Sequence, residues 1–182
     1  AVTPVSSVTP HCSYQSLGLM AIFARYIERE ADRLAMAGVR MRFIGDRGRL
    51  DPKLQRLMAG IEARTAGCDR LNLTVAVNYG GRDEIVRAVR RLADQVAAGV
   101  LDPQHLTEGS FSGALDTGGL PDPDLVLRTS GETRTSNFLP WQAAYAEYEF
   151  TGTLWPDFTA EELAGIVARF CNRERRFGGV AR

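Results

Sequence analysis

Cysteine is scarce in this chain. Cys12, Cys68 and Cys171 are the only three in 182 residues, they lie far apart, and no C-x-x-C is present. That spacing offers neither a zinc site nor a disulfide framework and points to a reducing cytoplasm. Histidine is scarcer still: His11 and His105 stand alone, so no Ser/His/Asp or Cys/His set can be assembled around them. Excess charge is missing too. The 22 Lys plus Arg balance 22 Asp plus Glu, and the formal net charge at pH 7 is zero. A neutral chain has no general attraction for nucleic acid, so any anion site must be a local cluster of arginines. The apolar stretches near 17–24 and 73–77 fall far short of the ~20 residues that a membrane span needs. Neither GxGxxG nor GxxxxGKS/T occurs, which removes two common nucleotide-binding loops. What remains is an ordinary globular composition, 45% hydrophobic and 24% charged, which excludes a disordered or collagen-like chain.

The order of elements follows from periodicity. Residues 1–16, with Pro4 and Pro10, are expected to be largely irregular. Leu19, Phe23, Ile27 and Leu34 keep a helical step, and Gly38 stops it. Val39–Ile44 alternates as a strand. Asp51-Pro52 opens a helix that carries Leu54, Leu57, Met58 and Ile61. Residues 71–77, nearly all apolar or β-prone, read as a strand covered on both faces. A turn at 78–81 leads into a helix over 82–98. Residues 104–119 are weak and Gly-rich, 125–127 form a short strand, 136–149 are expected to be helical, and 159–173 form a last helix opened by a capping box at Thr159. This alternation predicts a single α/β domain over residues 1–182, with a mostly parallel sheet and helices on both faces. Ligands in such folds sit at the carboxyl ends of strands. Three places qualify: Gly45-Asp46, residues 78–82, and Arg128 onward.

The densest polar cluster is RTSGETRTSN, residues 128–137. Arg128 is expected at a strand end, Arg134 in the loop, and Ser136 and Asn137 at a helix N-terminus. Two guanidinium forks, a hydroxyl and free helix N–H groups suit the oxygens of a diphosphate. A solvated surface loop is the plainer reading, and the coincidence of two arginines with the correct end of a sheet favours the anion site. Glu147, in WQAAYAEYEF, is either a paired structural acid or a magnesium ligand facing phosphates, with Glu149 as the rival carboxylate turned to another side of the helix. The turn Asn78-Tyr79-Gly80-Gly81 resembles a phosphate loop only weakly. The run NRERRFGG reads as a charged helix end or as a second anion contact through Arg176 and Gly178.

PDPDLVLRTSGETRTSNFLPWQAAYAEYEFTGTLWPDF followed by NRERRFGG resembles the cis-prenyltransferases, of the bacterial undecaprenyl or decaprenyl diphosphate synthase type. MRFIGDRGRL and LNLTVAVNYGGRDEIVRAVRRLA fit the same family in the same order. The resemblance implies condensation of isopentenyl diphosphate with an allylic diphosphate such as farnesyl diphosphate, a long-chain polyprenyl product with cis double bonds, and a need for Mg2+. It implies a parallel sheet flanked by helices and a homodimer in the cytoplasm, with peripheral membrane contact through the lipid product. Residue by residue, it implies that Arg128, Arg134 and Ser136 hold the diphosphate of isopentenyl diphosphate and that Glu147 helps to hold magnesium. Arg176 and Gly178 would reach a diphosphate across the dimer. The family's H-x-x-x-x-D-G-N-x-R and S-x-x-N-W-x-R-P stretches have no match, and residues 1–16 diverge. The expectation is therefore a chain truncated at its N-terminus, without the family's catalytic Asp and with impaired activity or none. The alternative is a non-catalytic partner subunit of an active cis-prenyltransferase.

Overall fold

The computed structural model describes residues 13–173. Residues 1–12 and 174–182, which include most of the divergent opening, His11, Arg176 and Gly178, lie outside the described residues, whereas residues 13–16, expected to be irregular, already belong to a helix. The chain divides into two compact units, residues 1–118 and 119–182.

In the first unit the order is α1 (Ser13–Met36), β1 (Val39–Ile44), α2 (Pro52–Thr65), β2 (Leu71–Ala76), α3 (Gly81–Ala97) and α4 (Glu108–Ala114). α1 places Ile27 and Ala31 one turn apart, and both are buried. It ends where Gly38 adopts φ +77°, and the Gly38 carbonyl accepts the Arg70 N–H at 3.0 Å. β1 buries Val39, Met41 and Phe43 on alternate positions, as its pattern predicted. It pairs in parallel with β2, from Val39↔Leu71 to Ile44↔Ala76. α2 is the crossover. Asp51 caps it by accepting the Lys53 N–H at 2.8 Å, and Leu54, Met58, Ile61 and Thr65 form its buried stripe.

β2 departs from its expected burial. Leu71 is 57% exposed and Asn72 is exposed, while Val75 and Ala76 are buried. The strand enters from the surface and is covered only at its carboxyl end. Its apolar run reflects β-propensity along its whole length and burial in only part of it.

The edge of β1 that faces away from β2 is closed by side chains. Met41 N–H donates to Thr65 Oγ1 at 3.0 Å, Phe43 N–H to Glu62 Oε1 at 2.8 Å, and Gly45 N–H to Asp116 Oδ2 at 3.1 Å. Three successive outward N–H groups thus find acceptors without a neighbouring strand, which removes the unpaired donors of an open edge.

The second unit contains β3 (Leu125–Arg128), β4 (Glu147–Phe150) and α5 (Ala160–Cys171). β3 and β4 pair in parallel, from Leu125↔Glu147 to Arg128↔Phe150. All strand pairing among the described residues is parallel, as expected of an α/β fold. The helix expected over 136–149 is not formed. Ser136, Asn137 and Leu139 have φ of +48°, +65° and +47°, a left-handed backbone that a right-handed helix cannot contain. Pro140 follows without an N–H to give. Turns carry the chain to β4, so Glu147 opens a strand. The capping box expected at α5 is half built. Thr159 accepts the Glu162 N–H at 3.2 Å, but the Glu162 carboxylate takes the hydroxyls of Thr151, at 2.7 Å, and Thr153, at 3.0 Å.

Candidate anion-binding site

The loop after β3 brings together the three residues singled out from the sequence. Arg128 is the last residue of β3, and its carbonyl accepts the Thr151 N–H at 3.0 Å. The loop turns back at once, because Ser130 and Gly131 have φ of +69° and +68°. Its base is fixed by Ser130 N–H to Thr153 O and Gly131 N–H to Thr151 O, each 2.9 Å. The chain returns so that Arg128 Nη1 donates to Ser136 Oγ at 2.9 Å and to the Arg134 carbonyl. Ser136 stands at a left-handed turn where a helix start was expected, so helix N–H groups and a helix dipole contribute nothing here. Two guanidinium groups and one hydroxyl make the site. Glu132 joins them: its Oε2 is ion-paired with Arg134 Nη1 and lies 3.8 Å from Arg128 Nη2.

Glu147 and Glu149 point the same way, since residues two apart on a strand share a face. This corrects the expectation that Glu149 turns to a different side. The two carboxylates meet two arginines near the end of α5. Glu147 Oε2 accepts from Arg173 Nη1 at 2.9 Å. Glu149 accepts from Arg169 Nη2 at 2.7 Å and from Arg173 Nη2. Arg169 and then Arg173 hold the Glu149 carboxyl below its ordinary range. The alternate residues Tyr148 and Phe150 stack with ring centres 6.1 Å apart.

The other two strand ends are in the first unit. Asp46 N–H donates to Asn78 O at 3.1 Å and Asn78 Nδ2 to Asp46 O at 2.9 Å, which ties the ends of β1 and β2 together. The Asp46 carboxylate caps Gly48 N–H at 3.1 Å and pairs with Arg49 at 2.9 Å. α3 starts at Gly81 with Asp83 and Glu84 in its first turn, so acids already stand at the phosphate-like turn. Glu84 is fully buried. It accepts the Tyr79 hydroxyl at 2.5 Å and the Asp116 N–H at 2.8 Å.

Two carboxylates with arginine partners go beyond the sequence reading, Asp116 in the first unit and Glu132 at the site itself. Asp116 lies in the weak Gly-rich stretch, yet Arg87 binds its carboxylate through both terminal nitrogens at 2.7 Å, and Arg91 lies at 3.3 Å. Burial pushes the Asp116 carboxyl up, and Arg87, the Gly45 N–H and Arg91 together push it further down, so its pKa is lowered. The signal available was Arg87 and Arg91 one helical turn apart, a pair that calls for an acid. Glu132 stands inside RTSGETRTSN, four residues after Arg128 and two before Arg134.

The family model for undecaprenyl diphosphate synthases matches residues 13–178. The chain belongs to this family, the cis-prenyltransferases. It is 50% identical over 164 residues to the isoprenyl transferase of Brucella abortus (strain 9-941), covering 90% of this chain and 63% of that protein. It is 48% identical over 160 residues to the (2E,6E)-farnesyl-diphosphate-specific ditrans,polycis-undecaprenyl-diphosphate synthase of Xanthomonas axonopodis pv. citri, covering 88% of this chain and 62% of that one. The chain thus spans a little under two-thirds of the length of these curated cis-prenyltransferases. Among solved structures it is similar to lavandulyl diphosphate synthase of Lavandula x intermedia in complex with dimethylallyl diphosphate. That likeness has a TM-score of 0.87 at 34% identity and covers 92% of this chain and 73% of that one.

Proposed function

We propose that the reaction of this cis-prenyltransferase is the condensation of isopentenyl diphosphate with an allylic diphosphate such as farnesyl diphosphate, to give a long-chain polyprenyl diphosphate, and that residues 1–182, which hold no match to the family's catalytic Asp stretch, carry it out weakly or not at all. One observation carries the reading: Arg128, Arg134 and Ser136 converge on one loop at the carboxyl end of a strand. Two planar forks and a hydroxyl match the oxygens of a diphosphate. Their work is positioning. Held by its diphosphate, isopentenyl diphosphate is aimed at the second substrate and does not meet it at random. The name of the Xanthomonas relative supports farnesyl diphosphate as primer. Joint retention of Arg128, Arg134, Ser136 and Glu147 favours a catalytic chain over a non-catalytic partner subunit.

Magnesium fits this chain only together with substrate. Among the described residues no group of three His, Cys, Asp or Glu could hold a metal. Glu147 supplies one carboxylate, bonded to Arg173, and magnesium commonly takes one or two carboxylates plus phosphate oxygens. Glu147 lies in register with Leu125, three residues along the β3–β4 pair from the level of Arg128; it is the carboxylate that would hold the ion, which would supply charge neutralisation. A homodimer and Mg2+ dependence belong to the same proposal, as do Arg176 and Gly178 as further diphosphate contacts. Among the described residues no helix is long and apolar enough to cross a membrane, and a lipid product suits peripheral membrane contact.

The test is calorimetric titration of the intact chain with isopentenyl diphosphate. Arg134→Ala is expected to weaken binding by about 1.5–3 kcal/mol, the worth of a charged hydrogen bond. An unchanged dissociation constant would count against the site.

A further inference from the structure

We propose that Glu132 is a built-in occupant of the diphosphate site, and that substrate must displace its carboxylate to bind. The inference rests on the reading of Arg128 and Arg134 as diphosphate ligands. The Glu132 carboxylate is ion-paired with Arg134 and lies 3.8 Å from Arg128, between the two cations that would take the substrate. The backbone puts it there: the left-handed pair Ser130-Gly131, tied to Thr153 and Thr151, folds the loop back over the end of β3.

The occupant is held by ion pairing, without a well-aligned hydrogen bond to Glu132 Oε2. Glu132 Oε2 is buried yet accepts no hydrogen bond, so it is desolvated and kept in place by charge alone. A diphosphate carries more charge and has several oxygens that can accept guanidinium N–H groups in plane. Exchange of one anion for the other is therefore favourable. It also means that Glu132 weakens the binding of every anion that must take its place, while it keeps two neighbouring cations neutralised when no substrate is bound.

The experiment titrates the full chain with isopentenyl diphosphate and, separately, with inorganic pyrophosphate, using wild type, Glu132→Gln and Glu132→Asp. Circular dichroism of each variant confirms the fold. Releasing Arg134, whose side chain is 67% exposed, from this ion pair should tighten binding about two- to fivefold. Glu132→Asp is the decisive variant. It keeps the charge but shortens the side chain, so it should also tighten binding if the carboxylate occupies the site. In an Arg134→Ala background the gain should shrink towards none.

Tightening by Gln but not by Asp would point to plain charge repulsion and overturn the proposal. Arg134-dependent binding with both Glu132 variants unchanged or weaker would overturn it too, and would leave the function reading intact. Binding indifferent to Arg134→Ala would remove the site itself, and this inference with it.

Discussion

At the scale of single residues, most of the polar atoms that matter here are spoken for by a named partner, and one glycine has no substitute. Gly45 has φ +116°, and a Cβ built on it would lie 2.0 Å from the Val77 carbonyl oxygen. That contact is backbone, so it cannot swing away as a flexible side chain would. Its N–H also donates to Asp116, so the residue fixes the end of β1 against two elements. Gly45→Ala should cost at least ~2 kcal/mol, from strained backbone and steric overlap together. A urea melt measures it, and a variant as stable as wild type would mean that the strand ends can part without loss. Arg128 and Ser136 sit at the other end of the range. Their bond joins residues eight apart through a loop of left-handed positions, and its value lies in presenting a guanidinium.

At the scale of elements, the joint between α2 and β1 depends on side chains acting as a missing strand. Thr65 is fully buried on α2; its Oγ1 accepts the Met41 N–H at 3.0 Å and donates to Ile61 O at 2.9 Å. Thr65→Val keeps the shape and deletes the acceptor, which leaves a β1 N–H unpaired. We expect a loss of about 1–3 kcal/mol in urea denaturation, whereas a neutral result would mean that the N–H finds another acceptor. Such joints explain what the sequence could tell and what it could not. α2 and β1 were legible because their apolar positions repeat with the period of the element itself. Arg128 and Arg134 were legible as a pair because charge and strand end are local facts. The stretch 136–149 was not, because its apolar residues suit a helix while the φ angles of Ser136, Asn137 and Leu139 forbid one. Leu139 carries no sign in its chemistry that it will be left-handed. The alternation Glu147-Tyr148-Glu149-Phe150 was the one available signal for β4, and it is a period of two. Asp116 is not legible for a different reason: its partners Gly45 and Arg87 are far away in sequence, and distance along the chain hides a pair that only folding creates.

At the scale of the whole molecule, an equal count of acids and bases hides an asymmetry in how they are used. Several acids serve structure: Glu62 takes both Arg47 and the Phe43 N–H, and Asp116 takes Arg87, Arg91 and Gly45. Burial alone would raise both carboxyls, but the bonds from Arg47 and Phe43 lower Glu62, and those from Arg87 and Gly45 lower Asp116. A carboxyl whose pKa is depressed by folding stabilises the folded state fully above its unfolded value, ~3.9 for Asp and ~4.3 for Glu. That contribution is lost as pH falls through the still lower folded values. Protonation also removes negative charge from a chain whose formal net charge at pH 7 is zero, so the arginines come to repel one another. Stability should therefore be nearly level between about pH 7 and 5 and fall steeply below about pH 4. Asp116→Asn separates the local cause from the general one. It removes the charge that Arg87 binds, and at pH 7 it should cost about 1–3 kcal/mol, as for a charged hydrogen bond. As pH falls below about 4 and on through the lowered folded value of Asp116, the wild type loses the stability that this charge confers, so the two stability curves should converge as the acid limb is descended. Curves that remained parallel in urea melts across the pH series would show that Asp116 acts by shape and neutral hydrogen bonding, and that the acid sensitivity has its source in other carboxylates.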